Sequence, residues 1–145
     1  MSHEKPKLIK VDVQEIIRNY DARKPFRLDV LFIHIDQVHN AMLSYINTGI
    51  LSMATLLEAN GFKVKCLGAS DLFFMSAPDL KKFLRFFRPR LVGFYTVSDN
   101  IYQVLDTARH VKSWLPGVRI ILGGPQACVK WRIITRTWAC TPCSW

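Results

Sequence analysis

No stretch of the chain stays apolar for the roughly 20 residues that a bilayer crossing requires, so no transmembrane helix is expected among its 145 residues. The first ten residues are polar and charged and lack the apolar core of a secretory signal, which points to the cytoplasm. Cysteine is scarce: there are four, and three of them fall within the last eighteen residues. That distribution builds no disulfide framework in a cytosolic chain. Acid is also in short supply, with 11 Asp and Glu against 20 Lys and Arg, a formal charge of +9. A basic balance raises the question of nucleic acid. Here the cations are divided among the amino-terminal arm, the Lys81–Arg90 segment and the tail, with no recognisable nucleic-acid motif, and no such partner is expected. No serine sits in a nucleophile elbow: Ser52, Ser70 and Ser98 all lack its glycine framing. Internal repeats and low-complexity segments are absent as well.

What remains is a chain half apolar and long enough for one domain with a full core. The arm, residues 1–27, has Val13, Ile16, Ile17 and Tyr20 at helical spacing behind an Asp12–Glu15 capping pair, and Lys24-Pro25 ends that pattern. Val30 to Ile35 is a continuous apolar run broken only by His34, the pattern of a strand buried on both faces. After a loop from Asp36 to about Thr48, residues Ile46, Ile50, Met53, Ala54 and Leu57 recur at helical spacing until Asn60-Gly61, a helix-ending pair. Phe62 to Leu67 reads as a second strand nearer a sheet edge. Pro78 opens a helix that turns Leu80, Phe83, Leu84 and Phe87 inward and Lys81, Lys82, Arg85 and Arg88 outward, and Pro89 closes it. Leu91 to Thr96 is the third strand. Asn100 with Gln103 offers a cap for a helix burying Ile101, Val104, Leu105, Ala108 and Val111; Pro116-Gly117 stops it before a fourth strand, Val118 to Leu122.

Alternating strands and helices with short connections predict an α/β fold, a Rossmann-like (flavodoxin-like) parallel sheet flanked by helices, in the order 2-1-3-4. The domain spans residues 28–127 and shows four strands, the fifth being missing or altered. Residues 128–145 form an irregular tail with clustered tryptophans and no acid. Ligands of open α/β sheets bind beyond the carboxyl ends of the strands. Gly123-Gly124, directly after the fourth strand, allows positive φ and close backbone approach to a flat ligand; a plain tight turn is the alternative. His34 reads as a packed core residue, and His110 lies at the end away from the ligand loops.

Three segments in this order resemble the cobalamin-binding domain at the amino terminus of B12-dependent radical SAM proteins. They are Gly49-Ile50-Leu51-Ser52-Met53-Ala54-Thr55-Leu56-Leu57-Glu58-Ala59-Asn60-Gly61-Phe62-Lys63-Val64, then Leu91-Val92-Gly93-Phe94-Tyr95-Thr96, then Ile121-Leu122-Gly123-Gly124-Pro125-Gln126-Ala127. The resemblance implies a bound cobalamin held by Asp36, Gln37, Val38 and His39 after strand one, by Thr96, Val97 and Ser98 after strand three, and by Gly123, Gly124, Pro125 and Gln126 after strand four. Thr96 and Ser98 are expected to hydrogen-bond the nucleotide tail. It also implies a radical SAM or methyltransferase partner domain for the corrinoid.

Two departures from the family pattern stand out. Many cobalamin domains carry Asp-x-His-x-x-Gly, the histidine binding cobalt. Here Asp36-Gln37-Val38-His39-Asn40-Ala41-Met42 places His39 one residue late, so it is either a cobalt ligand or a loop histidine. The Cys-x-x-x-Cys-x-x-Cys triplet of a radical SAM core is absent, so no iron–sulfur cluster is expected in this chain, and it reads as truncated before that core. Cys140 and Cys143 have the spacing of a zinc or redox pair but lack its usual context. Asp36 and Asp99 do not make a receiver site, which needs paired acids directly after strand one. The rival readings are a flavodoxin-like interaction module without corrinoid and a corrinoid carrier for separate methyltransferase subunits.

Overall fold

The computed structural model describes residues 27–35, 47–68, 71–72 and 75–129. Among the described residues the chain runs, in order, through β1 (Val30–Ile33), α1 (Thr48–Ala59), β2 (Val64–Leu67), α2 (Ala77–Phe87), β3 (Leu91–Tyr95), α3 (Ile101–Trp114), β4 (Arg119–Gly123) and α4 (Pro125–Val129). The strands form one sheet in the order β2-β1-β3-β4, and every pairing is parallel. The α/β, flavodoxin-like arrangement read from the sequence is therefore the one observed.

Parallel strands alternate their side chains between two covered faces, and the two faces here are unequal. Leu31 and Ile33 of β1, Val92 and Phe94 of β3, and the apolar stripes of α2 and α3 make the larger core. Phe83 and Phe87 are its biggest members, their rings 4.5 Å apart and almost fully enclosed. Burying each stabilises the fold by about 1.5–3 kcal/mol. The opposite face has a smaller core of Val30, Phe32, Ile50, Ala54 and Val64, with α1 lying over β1 and β2. Beyond α1 that face is thinly covered: Ile121, in the middle of β4, is 52% exposed.

Local signals account for most boundaries. Asn47 caps α1, its side chain accepting from the Gly49 N–H at 2.9 Å. Ser76 caps α2, with proline in the first turn and Arg88 in the left-handed conformation at its end. β1 and β3 end one or two residues earlier than the sequence reading has them, β4 is shifted by one residue, and three further details differ. Phe62 stays outside β2, because its N–H closes the last turn of α1 on Leu57 O. Asn100 makes no cap bond to α3, because its side chain is engaged elsewhere. A short helix, α4, follows the glycine pair directly. His34 is packed as expected, 4% exposed and edge-on to Tyr95. The helical pattern of the arm and the Cys140–Cys143 pair lie outside the described residues. No helix among the described residues is long and apolar enough to cross a membrane.

Candidate functional site

At the carboxyl ends of the strands, two side chains tie separate loops together. Asn100 is 1% exposed. Its carboxamide oxygen accepts from Val97 N–H at 2.8 Å, while its nitrogen donates to Ile35 O at 2.7 Å and Tyr95 O at 3.2 Å. One side chain thus joins the end of β1, the end of β3 and the turn after it. Thr96 does the same for β3 and β4: its backbone N–H and its hydroxyl both donate to Gly123 O, each at 2.8 Å. Gly124 then turns at φ +96°, where a Cβ would stand 2.5 Å from Thr96 O and 3.1 Å from the Tyr95 ring. Only glycine fits there without strain. The pair is unequal in its reasons, since a Cβ on Gly123 would meet nothing closer than 3.9 Å.

Beside this turn opens a cavity of about 430 Å³, running down between α1 and the sheet. α1 runs opposite to the strands, so its wall can be read level by level. At the mouth are Asn47 and Gly49 from the start of α1, with Tyr95, Gly123 and Gly124 from the strand ends. At mid-depth Met53 and Ile50 face Phe32, Gly93 and Ile121, which share one register row across β1, β3 and β4. At the bottom Leu57 meets Val30 and Leu91, the next paired row. From Leu91 to Tyr95 the slot is about 13 Å deep at roughly 3.3 Å per residue. Gly93 is small for a reason: the Phe32 ring lies across it, and a Cβ would come within 2.7 Å of that ring. Among the described residues, no side chain on the wall carries a charge.

The structure brings together seven of the site residues expected from sequence. Thr96, Val97 and Ser98 follow β3, and Gly123, Gly124, Pro125 and Gln126 follow β4, within one rim. Thr96 has a different task from the one expected, because it is fully buried and its hydroxyl hydrogen is committed to Gly123. Ser98 is exposed on the turn. Gln126 presents a buried side-chain oxygen, Oε1, with no hydrogen-bond partner. Asp36, Gln37, Val38 and His39 lie outside the described residues. The cavity wall was missed as a site, since Phe32, Met53, Leu57 and Ile121 all read as ordinary core. Two signals were available: a lone glycine inside a strand, and a helix, α1, whose only charged residue is Glu58. Among the described residues no three His, Cys, Asp or Glu are grouped to hold a metal ion.

A protein-family model described as "B12 binding domain" matches residues 37–137, more than two thirds of the chain. The match runs into the stretch set apart above as the tail. No curated protein matches the chain significantly.

Proposed function

The chain belongs to the B12-binding domain family, and on that premise we propose that it holds cobalamin at the carboxyl ends of β1, β3 and β4 and presents it to a radical SAM catalytic domain in the cytoplasm. The slot beside Gly123-Gly124 carries this reading. At about 430 Å³ it lies toward the small end of ligand pockets, sized for one heterocycle and its sugar rather than a whole corrin. The nucleotide tail, the narrow part of the cofactor, is the part this slot would hold, with the residues around Gly123-Gly124 bordering the rest.

The residues present fit that group. Gly124 forms a cradle that a Cβ would fill, and Gly123 leaves the mouth open. Gln126, in the helix that follows the glycine pair, carries a buried acceptor, Oε1, with no hydrogen-bond partner. Asn100 and Thr96 hold the three loops in fixed relation, so the rim is set before the ligand arrives. Val97, Ser98 and Pro125 border it. Asp36, Gln37, Val38 and His39, which follow β1 in the sequence, are assigned to the same ligand by the family resemblance, and His39 would be its cobalt ligand. When bound, the corrinoid supplies a cobalt centre able to carry an alkyl group; the protein supplies position and a water-poor slot.

Titration with hydroxocobalamin, followed by gel filtration and an absorbance spectrum, tests this. Corrin absorbance is expected to co-elute at about one per chain, and His39→Ala is expected to alter the spectrum. A sample folded by circular dichroism that retains no corrinoid sinks the reading and favours an interaction module. Retention, with transfer only to added methyltransferase subunits, favours a carrier over a radical SAM partner.

A further inference from the structure

The slot changes character with depth. Its mouth carries the polar side chains, Asn47 and Tyr95, while its lower two thirds are Phe32, Met53, Leu57, Leu91, Ile121 and Val30. The one carboxamide oxygen on the wall, Asn47 Oδ1, already accepts from Gly49 N–H. Gly123 O at the mouth already accepts twice, from the Thr96 N–H and hydroxyl. Below Ile121 the next residue of β4 on this face is Arg119, exposed and off the wall, and a guanidinium is only a donor. A group seated at depth therefore finds apolar contact and, among the described residues, no free side-chain acceptor.

We infer that the slot selects its corrinoid by the lower base, taking an apolar alkylbenzimidazole in preference to a purine. This rests on the corrinoid reading above and deepens it. The sugar and phosphate of the tail are polar and belong at the mouth; the base goes to depth. A benzimidazole with methyl substituents has no N–H to satisfy there and adds contact with Leu57 and Leu91. An adenine has an exocyclic amine that leaves its water on entry and meets no acceptor, and an unpaired buried donor is discriminated against by about ten- to a hundredfold. Phe32 turns the edge of its ring toward Gly93 and offers either base the same apolar contact, so it does not distinguish them.

The test compares the full chain's affinity for cobalamin, for its adenine-bearing counterpart and for cobinamide, which has no base. The fraction of each with its base bound to cobalt in buffer is read from the spectrum and divided out. Cobalamin is expected to bind about ten- to a hundredfold tighter than the adenine form, and cobinamide weaker than cobalamin. Met53→Gln, at a half-exposed helical position that tolerates glutamine, places an acceptor in the slot and is expected to narrow the preference toward parity. Equal or tighter binding of the adenine form by the unaltered chain overturns the inference and leaves corrinoid binding standing. So does cobinamide binding as tightly as cobalamin, because the base then stays outside. Failure of a folded chain to bind all three overturns both readings.

Discussion

Replacing Asn100 by alanine removes three hydrogen bonds at once from a side chain 1% exposed. Its partners are backbone groups, Val97 N–H, Ile35 O and Tyr95 O, and none of them moves away when the side chain is cut back. At about 1 kcal/mol for each bond lost, the expected cost is about 3 kcal/mol. For a chain of this length that lowers the melting temperature by about 6–12 °C. Urea unfolding of wild type and variant checks it: the midpoint falls while the slope is unchanged. Asn100→Asp sharpens the test. Its carboxyl would face Ile35 O and Tyr95 O where the amide nitrogen now donates, so the folded state favours the protonated acid and its pKa rises above the unfolded value. Between those two values the native state holds the extra proton, so stability falls as pH rises. The aspartate variant should therefore lie closest to wild type in acid and fall behind as the pH approaches 7. An alanine variant within about 0.5 kcal/mol of wild type, or an aspartate variant with no pH trend, refutes the assignment of Asn100 as the tie between these loops.

Gly124→Ala sets a side chain at φ +96° against Thr96 O and is expected to cost about 2 kcal/mol or more, whereas Gly123→Ala is expected to be nearly neutral; melting temperatures of the two separate a strained turn from a merely open one. Gly93→Ala must displace the Phe32 ring, at about 1–3 kcal/mol, and a ring pushed into the slot weakens cobalamin binding measurably in the same titration. Burial, and secondarily the charge of Glu58, pushes the Cys66 thiol up. Its thiolate is thus scarce near pH 8, and peptide-level alkylation should find it slower than a free thiol, with Glu58→Gln speeding it modestly.

The order of elements was legible because each carries its own punctuation. Asn60-Gly61, Pro89 and Pro116-Gly117 end helices where they stand, and the apolar runs at Val30 and Leu91 are those of strands covered on both faces. The rim was legible only in part. Glycine at 124 signals a positive φ from sequence, and the structure has it. Asn100 looked like a helix cap because capping is a local pattern, while its strongest partner, Ile35 O, is 65 residues away and visible only once β1 and β3 pair. Thr96 looked like a ligand contact for the same reason: nothing nearby in sequence announces Gly123 O as its acceptor. The cavity was the least legible feature. Periodicity says that Met53 and Leu57 turn toward the sheet, but not whether the sheet fills the space they face. Gly93 and Gly123 leave it unfilled.

The two cores of this domain are also unequal as stores of free energy. Among the described residues the face under α2 and α3 carries the larger core, whereas the face under α1 holds five buried residues and an open slot beside them. A ligand that fills the slot supplies packing that the chain does not, so its binding energy becomes part of the folding energy. Apparent stability then becomes a function of ligand concentration, rising by about 2.7 kcal/mol at a hundred times the dissociation constant. A domain built this way is most resistant to unfolding and proteolysis while loaded, and the cell's supply of cofactor sets how much of it survives.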